Sequence, residues 1–146
     1  MTSGLATFDT TVQESDAWLK AIMERLHTDD RQMAYQMLRA TLHAQRDRVG
    51  PENAVHIGAQ LPMLLRGLLF EGWHIAGTPT GEDRKQEFLE RVRAQLPVIL
   101  AGDAERGVQT VFEVICDKVD AGEARKLVRV LPTDLRSLWP TRASQD

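Results

Sequence analysis

Leu61-Pro62-Met63-Leu64-Leu65-Arg66-Gly67-Leu68 and Leu131-Pro132-Thr133-Asp134-Leu135-Arg136-Ser137-Leu138 lie 70 residues apart and decide the fold. In each, proline pushes the leucine before it out of the α region and suits the first position of a new helix. At the same offset Trp18, Leu19, Ile22 and Leu26 fall on Phe88, Leu89, Val92 and Leu96, and Ala34, Leu38, Leu42 and Val49 fall on Ala104, Val108, Phe112 and Val119. Ala54 and Ile57 fall on Ala124 and Leu127. Residues 8–69 give 12 identities in 62 pairs, where chance gives about 4. The matches sit at positions whose helical spacing marks them as buried.

The rest of the chain also reads as helices. Between Val12 and Leu26 apolar residues recur with helical spacing, opposite Glu14, Lys20, Glu24 and Arg25. Thr28-Asp29-Asp30 supplies a cap and first-turn acids for a second helix, with Ala34, Leu38, Leu42, Gln45 and Val49 on its inner line. Gly50-Pro51 ends that helix and starts a short third one. Trp73–Gly81 reads as a loop, and Val108–Val119 fits a helix better than a strand. Asp120 is a cap, with Glu123 as its capping-box partner. The expected fold is all-α: an eight-helix bundle made of two tandem four-helix pseudo-repeats, about 8–71 and 78–139, sharing one core. Each half is too small to be comfortable alone. With 72–81 counted as a linker, the second unit becomes 82–140, within a single helical domain 1–146 whose end, 141–146, is expected to fray.

Composition narrows the function. The 146 residues suit one domain, and 42% apolar and 27% charged residues suit a globular one. A net charge of −3 and eight aromatic residues argue against nucleic acid. No apolar run approaches the roughly 20 residues of a membrane span, and Met1–Thr11 does not read as a signal peptide. The single Cys116 excludes an internal disulfide and a cysteine-based zinc cluster. A cytoplasmic location, no metal and no cofactor are the expectations.

The segment Ala59–Trp73 and the ending Leu131–Pro140 resemble the prokaryotic domain of unknown function 2267 family, over about Phe8 to Pro140. The resemblance implies an all-helical fold of two related halves and no established activity. Similar sequences often carry two tyrosines at Leu69-Phe70 and an Arg-His pair at Asp117-Lys118, so roles resting on those groups do not transfer.

Few residues suggest chemistry. Arg39, His43 and Arg46 form a stripe on the second helix, read as its exposed face, that suits a phosphate or carboxylate; a solvated face is the simpler reading. Glu71, Trp73 and His74 lie where a helix enters the longest loop, the best small-site position; Trp73 folding back as a lid is the simpler reading there. His56 reads as a packed, hydrogen-bonded residue, and Cys116 as structural. Repeat-related Arg66 and Arg136 suggest a repeated structural task, such as pairing an acid or reaching carbonyls at another helix end. Val98, Ile99 and Leu100 have no counterpart in the first half and suit a partner or self-association patch. The leading expectation is a non-enzymatic binding or adaptor protein that contacts an unidentified protein, or itself, through a helical surface. The alternative is a small-ligand-binding protein or undiscovered enzyme with its site near Glu71–His74. The balance leans away from an enzyme.

Overall fold

The computed structural model describes residues 2–144 and, among them, eight α-helices and no strand. They are α1 (Ala6–Leu26), α2 (Arg31–Val49), α3 (Pro51–Ala59), α4 (Met63–Phe70), α5 (Lys85–Ala94), α6 (Ala104–Lys118), α7 (Ala121–Arg129) and α8 (Thr133–Arg136). Three 3-10 turns, Ile75–Gly77, Val98–Asp103 and Thr141–Ser144, fill the joints.

Local chemistry sets the boundaries. Asp30 accepts from the Met33 N–H at 3.1 Å and so caps α2. Gly50, at φ +83, lets the chain leave α2 and enter α3 in a backbone state that side chains disfavour. Asp120 accepts from both the Gly122 and Glu123 N–H groups. Glu123, the expected capping-box partner, instead accepts from Lys126 at 3.0 Å. α1 begins at Ala6, about two turns before the expected Val12. Its first turns carry Phe8, exposed and outside the pattern that begins at Val12.

α3 and α7 have nine residues each and start at positions 51 and 121. Pro62 and Pro132 precede α4 and α8 with nearly the same angles, φ −55, ψ 151 and φ −58, ψ 153. Arg66 Nε donates to the Gly58 carbonyl at 2.9 Å and its Nη2 to Leu61 at 3.3 Å. Arg136 donates to Leu131 at 2.8 Å and to Arg129 at 3.0 Å. Each arginine thus reaches back to carbonyls at the end of the preceding helix and just beyond it; Gly58 also accepts from the Leu61 N–H at 3.1 Å.

Trp18, Ile22, Leu38, Leu42, Leu65 and Leu69 from the first half and Phe88, Leu89, Val92, Phe112, Leu135 and Leu138 from the second are buried in one apolar cluster. α1 packs on α6, and α2 packs on both α5 and α6. Where α2 crosses α6, Gly107 lies against the Met37 side chain, which a Cβ there would force to move. Phe112 stacks on Trp139 with centroids 4.0 Å apart.

α2 runs through the middle of this arrangement, and every residue from Ala40 to Arg46 is buried. His43 and Arg46 are therefore inside, not on the exposed face expected for them. In the tail expected to fray, Thr141–Ser144 form a 3-10 turn, Ala143 is buried, and Arg142 pairs with Asp117. Gln145 and Asp146 lie outside the described residues. Arg25 of α1 also pairs with Asp117. Partial burial opposes the charge of Asp117, but these guanidinium groups hold its carboxyl below the usual range.

Candidate binding groove between α1 and α4

α1 has one broad apolar side. Its Trp18, Ile22 and Leu26 are buried in the core. Phe8, Val12 and Leu19 run along the edge of that side at spacings that keep them together; Phe8 and Val12 are each 54% exposed. α4 buries Leu65 and Leu69 and leaves Met63 and Leu64 half exposed. The Leu64 N–H, an orphan donor of the first turn of α4, donates to Thr11 Oγ1 at 2.8 Å and fastens α4 beside α1.

A cavity of about 460 Å³ opens along this seam, within the range of ligand sites. Its walls are Val12, Leu19, Leu64, Leu65, Gly67 and Leu68, with Tyr35 of α2 at the side. Ser15, Asp16 and Glu71 supply the polar lining. Ser15 is 4% exposed, and its Oγ has no hydrogen-bond partner among the described residues. Asp16 is held by Arg31 and Lys20, and the Arg31 guanidinium draws its carboxyl below the usual range. Glu71 faces Arg39 at 3.8 Å.

Behind the groove, polar side chains of α2 grip the end of α4. His43 Nε2 lies 2.7 Å from the Leu68 carbonyl. A carbonyl only accepts, so this nitrogen carries the proton. Arg46 donates to the Leu69 and Glu71 carbonyls at 2.8 and 3.0 Å and pairs with Asp47. Helix ends leave such carbonyls open, and His43 and Arg46 close them. Burial, with Arg46 and Arg39 adding repulsion, pushes the His43 imidazole below its ordinary value. The ring is neutral at physiological pH. The stripe's partners lie within the chain: His43 and Arg46 meet backbone carbonyls, and Arg39 and Arg46 face the carboxylates of Glu71 and Asp47.

The structure joins Arg39, His43, Arg46 and Glu71 around the end of α4, and gives Trp73 a different partner there. Trp73 is half-buried and stacks on Phe70 at 5.3 Å; His74 is exposed, as is His56. Glu71 alone of the expected site residues lines the groove. Val98 and Ile99 protrude, 93% and 87% exposed. Leu100 packs against the core and leaves the expected patch with two members. Cys116 is half-buried, and burial raises its thiol above the ordinary range. Among the described residues no group of three or more His, Cys, Asp or Glu is placed to hold a metal, and no helix is long and apolar enough to cross a membrane.

Sequence reasoning missed Val12, Ser15, Leu19, Tyr35 and Leu64. One signal was available: Phe8, Val12 and Leu19 recur at helical spacing along the edge of the apolar side of α1. The family model described as Uncharacterized conserved protein (DUF2267) matches residues 15–138, which takes in Ser15, Leu19 and all of α4. No curated protein matches the chain.

Proposed function

The chain belongs to the DUF2267 family of uncharacterized conserved proteins, a membership that fixes no chemistry, and from it we propose a non-enzymatic binding protein that receives an apolar segment of a partner protein along the α1–α4 seam. One observation carries the reading: the cavity of about 460 Å³ is walled by apolar side chains of both helices, of which Val12 and Leu64 are half exposed. Contiguous exposed apolar surface of this kind marks contact sites. A groove between two helices is a recurrent receptor for an amphipathic helix. The carboxylates at its rim face cations, so the seam offers apolar contact rather than a charged catalytic cluster.

The test is affinity capture with the native protein and with Leu64→Asp, followed by rebinding of the purified captured protein. A partner retained by the native protein and by an exposed control such as His56→Asp, but lost with Leu64→Asp, is the expected result. A partner held equally by the groove variant defeats the proposal.

A second reading rests on Val98 and Ile99, the most exposed large apolar residues of those described. They suit self-association. Light scattering of the native chain and Ile99→Asp over a wide concentration range tests it; a strict monomer throughout removes it. We also read the 70-residue correspondence of the helices as a duplication, which the matching arginine–carbonyl contacts support. The lone half-buried thiol suits the cytoplasm.

A further inference from the structure

We propose that the occupant of the α1–α4 groove is an amphipathic partner helix anchored by an aromatic residue with a polar donor, tryptophan or tyrosine, and that Ser15 is the residue that selects it. This rests on the groove being a protein-contact site.

The shape of the seam argues for a helix. Phe8 to Leu19 spans about 17 Å, or about three turns, and Ser15 is the polar residue set among Phe8, Val12 and Leu19 on that length. Phe8, Val12, Met63 and Leu64 are each about half exposed. Of these only Val12 and Leu64 are cavity walls; at about 150–200 Å² for a fully exposed large apolar residue, those two offer roughly 180 Å². That is under half of the roughly 800 Å² per partner of a standard interface. The fit is to a single short helix held reversibly, not to a whole domain face.

Charge narrows the occupant further. At the rim Asp16 already faces Lys20 and Arg31, and Glu71 already faces Arg39. No carboxylate there lacks a cation, so nothing calls for a basic helix or an anionic headgroup. The demand is for apolar surface.

Ser15 adds one polar requirement. It lines the cavity, is 4% exposed and has no partner for Oγ among the described residues. A buried hydroxyl without a partner is costly, and its one χ1 torsion can turn Oγ toward the cavity. A leucine or phenylalanine anchor would leave it unpaired. An indole N–H or phenol O–H reaching the groove floor would pair it, while the ring packs on Val12, Leu19, Leu64 and Leu68. The cavity holds one such ring with room for a second apolar side chain a turn away.

The test uses the full chain, isotope-labelled for amide NMR, and three probes: indole, naphthalene and a fourteen-residue amphipathic peptide with a central tryptophan. Indole should shift amides of Val12, Ser15, Leu64 and Leu68 and bind about 3–10-fold more tightly than naphthalene. Ser15→Ala, which removes only an unpaired hydroxyl and should keep the fold, should bring that ratio to about one. The peptide should bind at least tenfold more tightly than free indole. A ratio of one in the native protein, or one that survives Ser15→Ala, overturns the assigned anchor and leaves the groove reading standing. If no probe shifts the groove amides, both fall. If free indole binds as tightly as the peptide, the helix is refuted as occupant and the groove is a small-molecule site.

Discussion

Replacing Gly107 by alanine adds one methyl group where α6 crosses α2. The new carbon would stand 2.3 Å from Met37 Sδ, 3.0 Å from Cγ and 3.1 Å from Cε, where ordinary contact begins near 3.4 Å. All three atoms are in the way, and Met37 is 0% exposed, so it has no solvent to swing into. Overpacking of this kind costs about 1–3 kcal/mol. The glycine-to-alanine exchange returns about 1 kcal/mol of helix propensity. Gly107→Ala should therefore destabilise by about 1 kcal/mol, against the usual sign for such a change inside a helix. Met37→Ala alone should cost about 2–5 kcal/mol through the cavity it leaves. In that background the obstruction is gone, and Gly107→Ala should stabilise by about 1 kcal/mol. The four proteins form a double-mutant cycle with a coupling of about 2 kcal/mol. Urea denaturation followed by the fluorescence of the buried Trp18 and Trp139 reads it directly. If Gly107→Ala stabilises in both backgrounds, the two helices do not meet at these residues and the crossing is wrong.

Three further outcomes follow from the same contacts. His43 has a pKa below its ordinary 6.5 in the folded state, so as pH falls through about 6.5 the unfolded chain takes up a proton that the folded chain refuses. Stability should then drop with falling pH by up to about 1.4 kcal/mol per unit until the folded group titrates; His43→Gln, which keeps a donor for Leu68, should lose this slope between about pH 7.5 and pH 5.5 in chemical denaturation, and an unchanged slope counts against a neutral buried ring. Arg66→Ala and Arg136→Ala should each cost about 1–3 kcal/mol by stranding a carbonyl, Leu61 in the first and Leu131 in the second, read as a lowered urea midpoint; a neutral result at either shows that its carbonyl is satisfied by water. Leu65 and Leu135 are 5% and 1% exposed, so truncating either to alanine should cost about 2–5 kcal/mol by the same assay, and a variant that melts like the parent does not sit in the shared core.

The sequence carried the helices because their boundaries depend on near neighbours. Asp30, Pro51 and Asp120 act within one turn, and the two Leu-Pro steps act on the residue before them. Burial on the matched positions was also legible, because core faces follow helical spacing. Nearly all of those positions, from Trp18 and Phe88 to Leu65 and Leu135, are buried. The face of α2 that bears His43 and Arg46 was misread for a definite reason. An amphipathic pattern assumes a helix covered on one side, whereas α2 meets α1, α3, α4, α5 and α6. Ala40 and Ala44 beside His43 were the overlooked sign, since small residues on a polar face permit close approach of a neighbour. The groove was illegible for a different reason. It belongs to no single helix but to the space between two, and its polar feature, Ser15, is an unremarkable residue until its surroundings are known.

The unequal pair at the crossing of α2 and α6 has a consequence for how the halves recognise each other. Met37 and Gly107 are 70 positions apart, the same shift that aligns the helices, and they face one another. A half pairing with a copy of itself would set methionine against methionine or glycine against glycine, a collision in one case and a void in the other. The chain instead holds a protrusion on one side and a recess on the other. At this crossing residues 37 and 107 are therefore complementary in shape rather than alike.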